Sequence, residues 1–188
     1  MSKVLVLTVD FIKGIGQSSG IYAPLTKRVQ DLEVIEHANK VILDARQKGY
    51  PIAHIRLCFR SKYPDVSPHS KVFSVIKEKG LFVQSDLSSD FIDGLDVHPD
   101  DIIIDKKRIS PFYGTDLDLI IRSLGVDELW IMGLSTVNGV QAAARDAHDR
   151  DLKVKIFADA TQAFNDAEQE MILNHLSKLA DIKVMQSH

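Results

Sequence analysis

The sequence is short of nearly everything that would take it out of the ordinary globular class. Cys58 is its one cysteine in 188 residues, so no intrachain disulfide can form. No apolar run approaches the ~20 residues of a membrane helix. The N-terminal apolar stretch from Val4 to Val9 is too short for a signal peptide and ends in Asp10. The 23 basic and 26 acidic residues leave a formal charge of -3, with no Lys/Arg stripe of the kind phosphate-backbone binding requires. Neither nucleic acid nor membrane is expected as a partner. Repeats, low-complexity tracts and linkers are missing, as are the Gly-x-Ser-x-Gly elbow and the phosphate-binding loop. What is present is a balanced chain, 45% apolar and 26% charged, of a length that suits one domain over residues 1–188. A soluble, cytoplasmic protein acting on a small molecule is the expectation.

Six apolar, β-branched runs recur along the chain: Val4 to Val9, Ile52 to Leu57, Ile102 to Asp105, Leu129 to Met132, Val154 to Ala158 and a weaker one from Ile182 to Met185. Segments of helical period separate them, which is the pattern of βαβ units around a parallel sheet. Ile35, Ala38, Ile42 and Ala45 mark one helix face ending near Gly49. Leu117, Ile120, Ile121 and Leu124 mark a second, between a Thr115 cap and Gly125. Val140, Ala143, Ala144 and Ala147 mark a third whose small residues allow close approach to the sheet, and Ile172, Leu176 and Leu179 a fourth. Residues 84–101 show no period and read as a long loop.

In an open parallel sheet, ligands bind beyond the carboxyl ends of the strands, near the point where strand order reverses. Those ends carry Asp10, then Arg56-Leu57-Cys58, then Asp105-Lys106-Lys107-Arg108, then Gly133-Leu134-Ser135-Thr136, then Asp159. A carboxylate, a cation and a turn into a helix N-terminus converge on one edge, as an acid/base site facing an anion or oxyanion requires. Arg56 or Arg60 can anchor a substrate carboxylate, since guanidinium and carboxylate pair in a bidentate way; the alternative is a surface arginine. Gly14-Ile15-Gly16 begins like a dinucleotide fingerprint, but Ser19 stands where the third glycine belongs, so no cofactor is expected. Asp65 and His69 have metal-ligand spacing, yet Pro64 and Pro68 argue against the helix that would pair them, and no metal is expected. Cys58 reads as a buried small hydrophobe rather than a nucleophile.

The order of Asp10, Lys106 through Phe112-Tyr113-Gly114-Thr115, Gly133-Leu134-Ser135-Thr136 and Arg145-Asp146-Ala147 resembles the isochorismatase-like superfamily of cysteine hydrolases, over nearly the whole chain. The resemblance implies a three-layer α/β/α sandwich of Rossmann-like form, with a six-stranded parallel sheet in the order 3-2-1-4-5-6. It places the family's catalytic aspartate on Asp10 and its lysine on Lys106, and the substrate near Ser135, Thr136 and Gly139. It also implies a non-proline cis peptide within Gly133-Leu134-Ser135-Thr136 and a homodimer or higher homo-oligomer. The family's nucleophilic cysteine falls on Gly139, so a covalent thiol route is closed there. The Asp-x-His metal ligands of nicotinamidases are absent after the second run, where Ile55-Arg56-Leu57-Cys58 stands instead. Two functions follow. One is a hydrolase of a small, carboxylate-bearing molecule, cleaving a vinyl ether or an amide with Asp10 as general acid/base and water as nucleophile. The other is a non-catalytic member that keeps the pocket for binding or the oligomer for scaffolding.

Overall fold

A computed structural model describes residues 2–185. Six strands, β1 (Val4–Val9), β2 (Ile52–Leu57), β3 (Ile102–Lys106), β4 (Glu128–Leu134), β5 (Lys153–Gln162) and β6 (Asp181–Lys183), form one parallel sheet in the order β3-β2-β1-β4-β5-β6. All six residues of β1 are buried, as a strand covered on both faces requires. The helices are α1 (Lys13–Gly16), α2 (Ala23–Asp31), α3 (Val34–Gln47), α4 (Lys71–Glu78), α5 (Leu117–Leu124), α6 (Gln141–His148) and α7 (Asp166–Leu176).

Alternation along the strands divides the core in two. Val4 and Val6 pack with residues of α1–α4 on one face, whereas Leu5, Leu7 and Val9 pack with α5–α7 on the other. In α6, Ala143, Ala144 and Ala147 are fully buried, and their lack of bulk lets the helix lie close to the sheet. Gly125 ends α5 in the left-handed conformation, φ 64°, that glycine adopts at no steric cost.

The third, fourth and fifth apolar runs understate their strands by one to four residues at an end, because β3 runs on through Lys106, β4 takes in Glu128 and Leu134, and β5 takes in Lys153 and Gln162. The sixth strand is shorter than its run. Asp159 is therefore inside β5, where it accepts the Met185 N–H at 2.9 Å and lies 3.3 Å from His37, and it does not close a strand at the crevice. Residues 84–101 are a loop with one 3-10 turn, Leu87–Ser89, tied down by a bridge between Ile12 and Phe91. Among the described residues, no helix is long and apolar enough to cross a membrane.

Candidate active site

Strand order reverses between β1 and β4, and the chain leaves both strands by tight turns. Asp10 ends β1 in the left-handed region, φ 56°, and its N–H donates to Ile55 O at 2.8 Å. Asp tolerates that conformation better than most residues, at a cost of about 1–2 kcal/mol. Opposite it, Gly133 has φ 145°, and a Cβ there would stand 2.0 Å from Val9 O, so only glycine lets the two strand ends meet. The cis peptide lies between Leu134 and Ser135, within the turn where it is expected. A π-helical turn, Thr136–Val140, follows and runs directly into α6.

These turns bring Asp10 and Lys106 together. Lys106 Nζ lies 2.7 Å from Asp10 Oδ2, with both side chains at most 6% exposed. The ammonium also donates to the carbonyls of Arg108 and Ile109, at 3.1 Å each, so all three of its hydrogens have acceptors. Asp10 Oδ1 accepts the Leu57 N–H at 2.8 Å. Burial pushes the Asp10 carboxyl above the usual carboxylate range, against the lowering exerted by Lys106 and by the Leu57 N–H. The balance between a neighbouring cation and burial therefore falls on the side of burial.

The pair opens onto a narrow cavity with about 40 Å³ of free space. The polar lining is Asp10, Lys106, Tyr22, Ser135 and Asn138, with Asn138 Nδ2 donating to Ser135 Oγ at 3.1 Å. Ile15, Leu57, Phe73, Ile76, Ile109 and Leu134 supply most of the rest. Gly139 lies in the same wall, and a Cβ at this position would be 3.2 Å from Asp10 Oδ2 and 2.8 Å from Val9 Cγ1. Any side chain at 139 would touch the carboxylate.

Four of the six expected site residues, Asp10, Lys106, Ser135 and Gly139, line this cavity, and two do not. Arg56 is held at 2.6 Å by Asp105, its partner in the β2–β3 register, and stacks its guanidinium over Phe91. It is outside the cavity, so the cation expected to anchor a substrate carboxylate is already engaged. Arg60 pairs with Asp65 at the surface and is outside it as well. Thr136 is fully buried behind the wall: its Oγ1 donates to Gln169 Oε1 at 2.7 Å and lies 3.0 Å from Thr161 Oγ1, which in turn donates to Gly133 O at 2.8 Å. It braces the turn from behind instead of facing a ligand. Cys58 is 1% exposed, and burial pushes its thiol up. Gly14 and Gly16 belong to α1, where any Cβ would press into Phe82 or Ile92, so close packing accounts for that glycine pair.

Sequence reasoning does not reach Tyr22, Asn138 and the α4 side chains Phe73 and Ile76. A signal for α4 exists, since Ser70 caps it by accepting the Phe73 N–H at 3.2 Å and the apolar residues then step by three.

A second layer holds the lysine's carbonyl acceptors. Ser110 Oγ donates to Asp146 in a short hydrogen bond and accepts the Phe112 N–H at 3.1 Å, while Arg150 stacks 4.3 Å over the Phe112 ring. The Arg145-Asp146-Ala147 segment thus fixes the loop that follows Lys106.

The profile of the isochorismatase domain matches residues 5–187. The uncharacterised isochorismatase family protein YwoC of Bacillus subtilis is 25% identical over 177 residues, which is 93% of this chain and 85% of that protein. The ureidoacrylate amidohydrolase RutB of Methylorubrum extorquens is 37% identical over 86 residues, covering 45% of this chain and 35% of that enzyme. An isochorismatase family protein from Desulfovibrio vulgaris superposes with a TM-score of 0.85 at 20% identity, covering 97% of this chain and 94% of its own. N-carbamoylsarcosine amidase from Thermoplasma acidophilum superposes with a TM-score of 0.78 at 25% identity, over 100% and 99% of the two chains.

Proposed function

The chain belongs to the isochorismatase family, and from that premise we propose that it hydrolyses a small molecule with Asp10 as general acid and base, Lys106 as the cation that positions it, and water as the nucleophile. One observation carries this reading: a buried ion pair at 2.7 Å faces a cavity in which residue 139 has no side chain. A scaffold needs neither a buried carboxylate nor the cost of its desolvation. The space beside Asp10 Oδ2, which a larger residue 139 would fill, is where a water or the scissile group sits.

For an amide, Asp10 takes a proton from water as the water oxygen adds to the carbonyl carbon, then returns it to the departing nitrogen as the C–N bond breaks. For a vinyl ether, protonated Asp10 delivers its proton to carbon, water adds to the resulting oxocarbenium carbon and returns a proton to Asp10, and the hemiketal so formed breaks its C–O bond to release the alcohol and leave a carbonyl. The upward push of burial on Asp10 supports the protonated form that this second route needs. Ser135 and Asn138 face the same cavity and hold the polar end of the substrate. Among the described residues, no cation besides Lys106 lines the cavity, so a carboxylate on the substrate finds no counter-ion among them. We extend the proposal to a homodimer or larger assembly in the cytoplasm; large apolar side chains at the surface, Tyr113 and Leu119 among them, are consistent with an interface.

The test is turnover of a panel of small amides, ureides and vinyl ethers before and after treatment with iodoacetamide. Hydrolysis that survives alkylation is expected, because Cys58 is the only thiol and lies outside the cavity. Hydrolysis abolished by alkylation would point to a thiol route, and no hydrolysis of any compound would favour the non-catalytic reading.

A further inference from the structure

Tyr22, the residue that leads into α2, lines the Asp10 cavity. Its ring is pinned between Phe82, at 6.1 Å and tilted, and Phe164, at 6.2 Å and stacked. Its hydroxyl makes no hydrogen bond to any described residue, whereas that of Tyr63 donates to Leu81 O. The residue is half-buried, with its ring in the wall of the cleft. Burial and the nearby Asp10 charge both push the Tyr22 phenol above its usual range.

The cation of the cavity is committed. Lys106 spends its three hydrogens on Asp10, Arg108 O and Ile109 O, while Ser135, which accepts from Asn138, and Asn138 itself are neutral donors like Tyr22. A carboxylate entering this space would meet Asp10 without a free cation to pair with, and burying an unpaired charge is costly. An uncharged oxygen needs only a neutral donor, and a rigidly held phenol with no partner of its own is one.

We propose that Tyr22 is the ligand-selecting residue of the cleft: its hydroxyl donates to an uncharged carbonyl-type oxygen, so that the cleft takes neutral carbonyl compounds in preference to carboxylates. This rests on the reading that the Asp10 cavity is where substrate binds, but not on turnover.

The experiment is an NMR titration of the whole chain, wild type and Tyr22→Phe, with isobutyramide and with isobutyrate. The phenylalanine keeps the ring and its packing and removes only the hydroxyl. Wild type should bind the amide about tenfold or more tightly than the acid anion, and Tyr22→Phe should lose about tenfold for the amide, the usual worth of one neutral hydrogen bond. Isobutyrate affinity should change little. The inference is overturned by unchanged amide affinity in Tyr22→Phe, by equal losses for both probes, by wild-type preference for isobutyrate, or by binding of neither. Charge-selective binding without hydrolysis would leave this inference standing and remove the hydrolase reading alone.

Discussion

In the proposed mechanism, position 139 leaves room for water beside Asp10. Its missing Cβ would contact both Val9 and the Asp10 carboxylate, so Gly139→Ala should cost about 1–3 kcal/mol in denaturant unfolding, the usual penalty of overpacking, and reduce turnover at least tenfold by filling the space beside Asp10. Gly139→Cys would set a sulfur against that carboxylate. Its thiol should react with iodoacetamide faster than Cys58, which is buried and whose thiol is pushed up by burial, and peptide mapping of the alkylated protein reads the difference. The two neighbouring lysines separate just as sharply. Lys106→Ala should cripple turnover and destabilise the fold by roughly 3–5 kcal/mol, the cost of leaving a buried charge without its partner. Lys107→Ala should leave activity near wild type, since Lys107 does not line the cavity.

At the scale of elements, the end of β4 is held from behind by α7. Gln169 bonds Thr136 Oγ1 at 2.7 Å and the Thr161 carbonyl at 3.0 Å, which couples the helix to the turn that carries Ser135 and Gly139. Thr136→Val preserves shape and removes those hydroxyl bonds, so it should cost about 1–3 kcal/mol and lower turnover in parallel, as measured by urea unfolding and by rate. The sequence shows why such a residue is hard to place in advance. Thr136 stands in a turn at the expected edge, and which way its hydroxyl faces depends on Thr161 and Gln169, 25 and 33 residues later. By contrast, the strands β1, β2 and β4 are legible because two-sided burial writes them as near-continuous apolar runs. The short helices α1, α2 and α4 are less so, having one to three turns and few buried positions each. Asp10 could be named because it closes a strand, where the topology forces residues to converge, whereas Lys106 is told from its neighbours Lys107 and Arg108 only by the family resemblance. Tyr22 and Asn138 could not, because neither follows a strand directly and no local pattern announces them.

For the molecule as a whole, Asp101 and Asp10 couple pH to stability in opposite directions. Asp101 is 6% exposed; burial works against its charge, but Arg46 at 2.7 Å, the His98 N–H and His54 together hold its carboxyl at about 2. A depressed folded pKa contributes stability that is present above the ordinary value near 3.9 and is lost as pH falls from about 4 to about 2. The size should be about 2 kcal/mol, and Asp101→Asn should flatten that part of the curve of urea midpoint against pH. Asp10 has the opposite sign, because its raised folded pKa favours the folded state below the ordinary carboxylate range and that contribution is lost as pH rises through the folded value. Stability given up around Asp10 at neutral pH is the expected mark of a group kept for chemistry.

A single buried carboxylate that turns over substrate without a protein thiol is tested by the rate of wild type beside Asp10→Asn on a substrate that the panel identifies. Asn keeps the shape and removes the proton that the reaction moves. kcat should fall about 10²–10⁴-fold in Asp10→Asn, with an unchanged far-ultraviolet circular dichroism spectrum and, in wild type, a pH profile governed by one group titrating above the usual carboxylate range. Turnover by Asp10→Asn at the wild-type rate would contradict this mechanism.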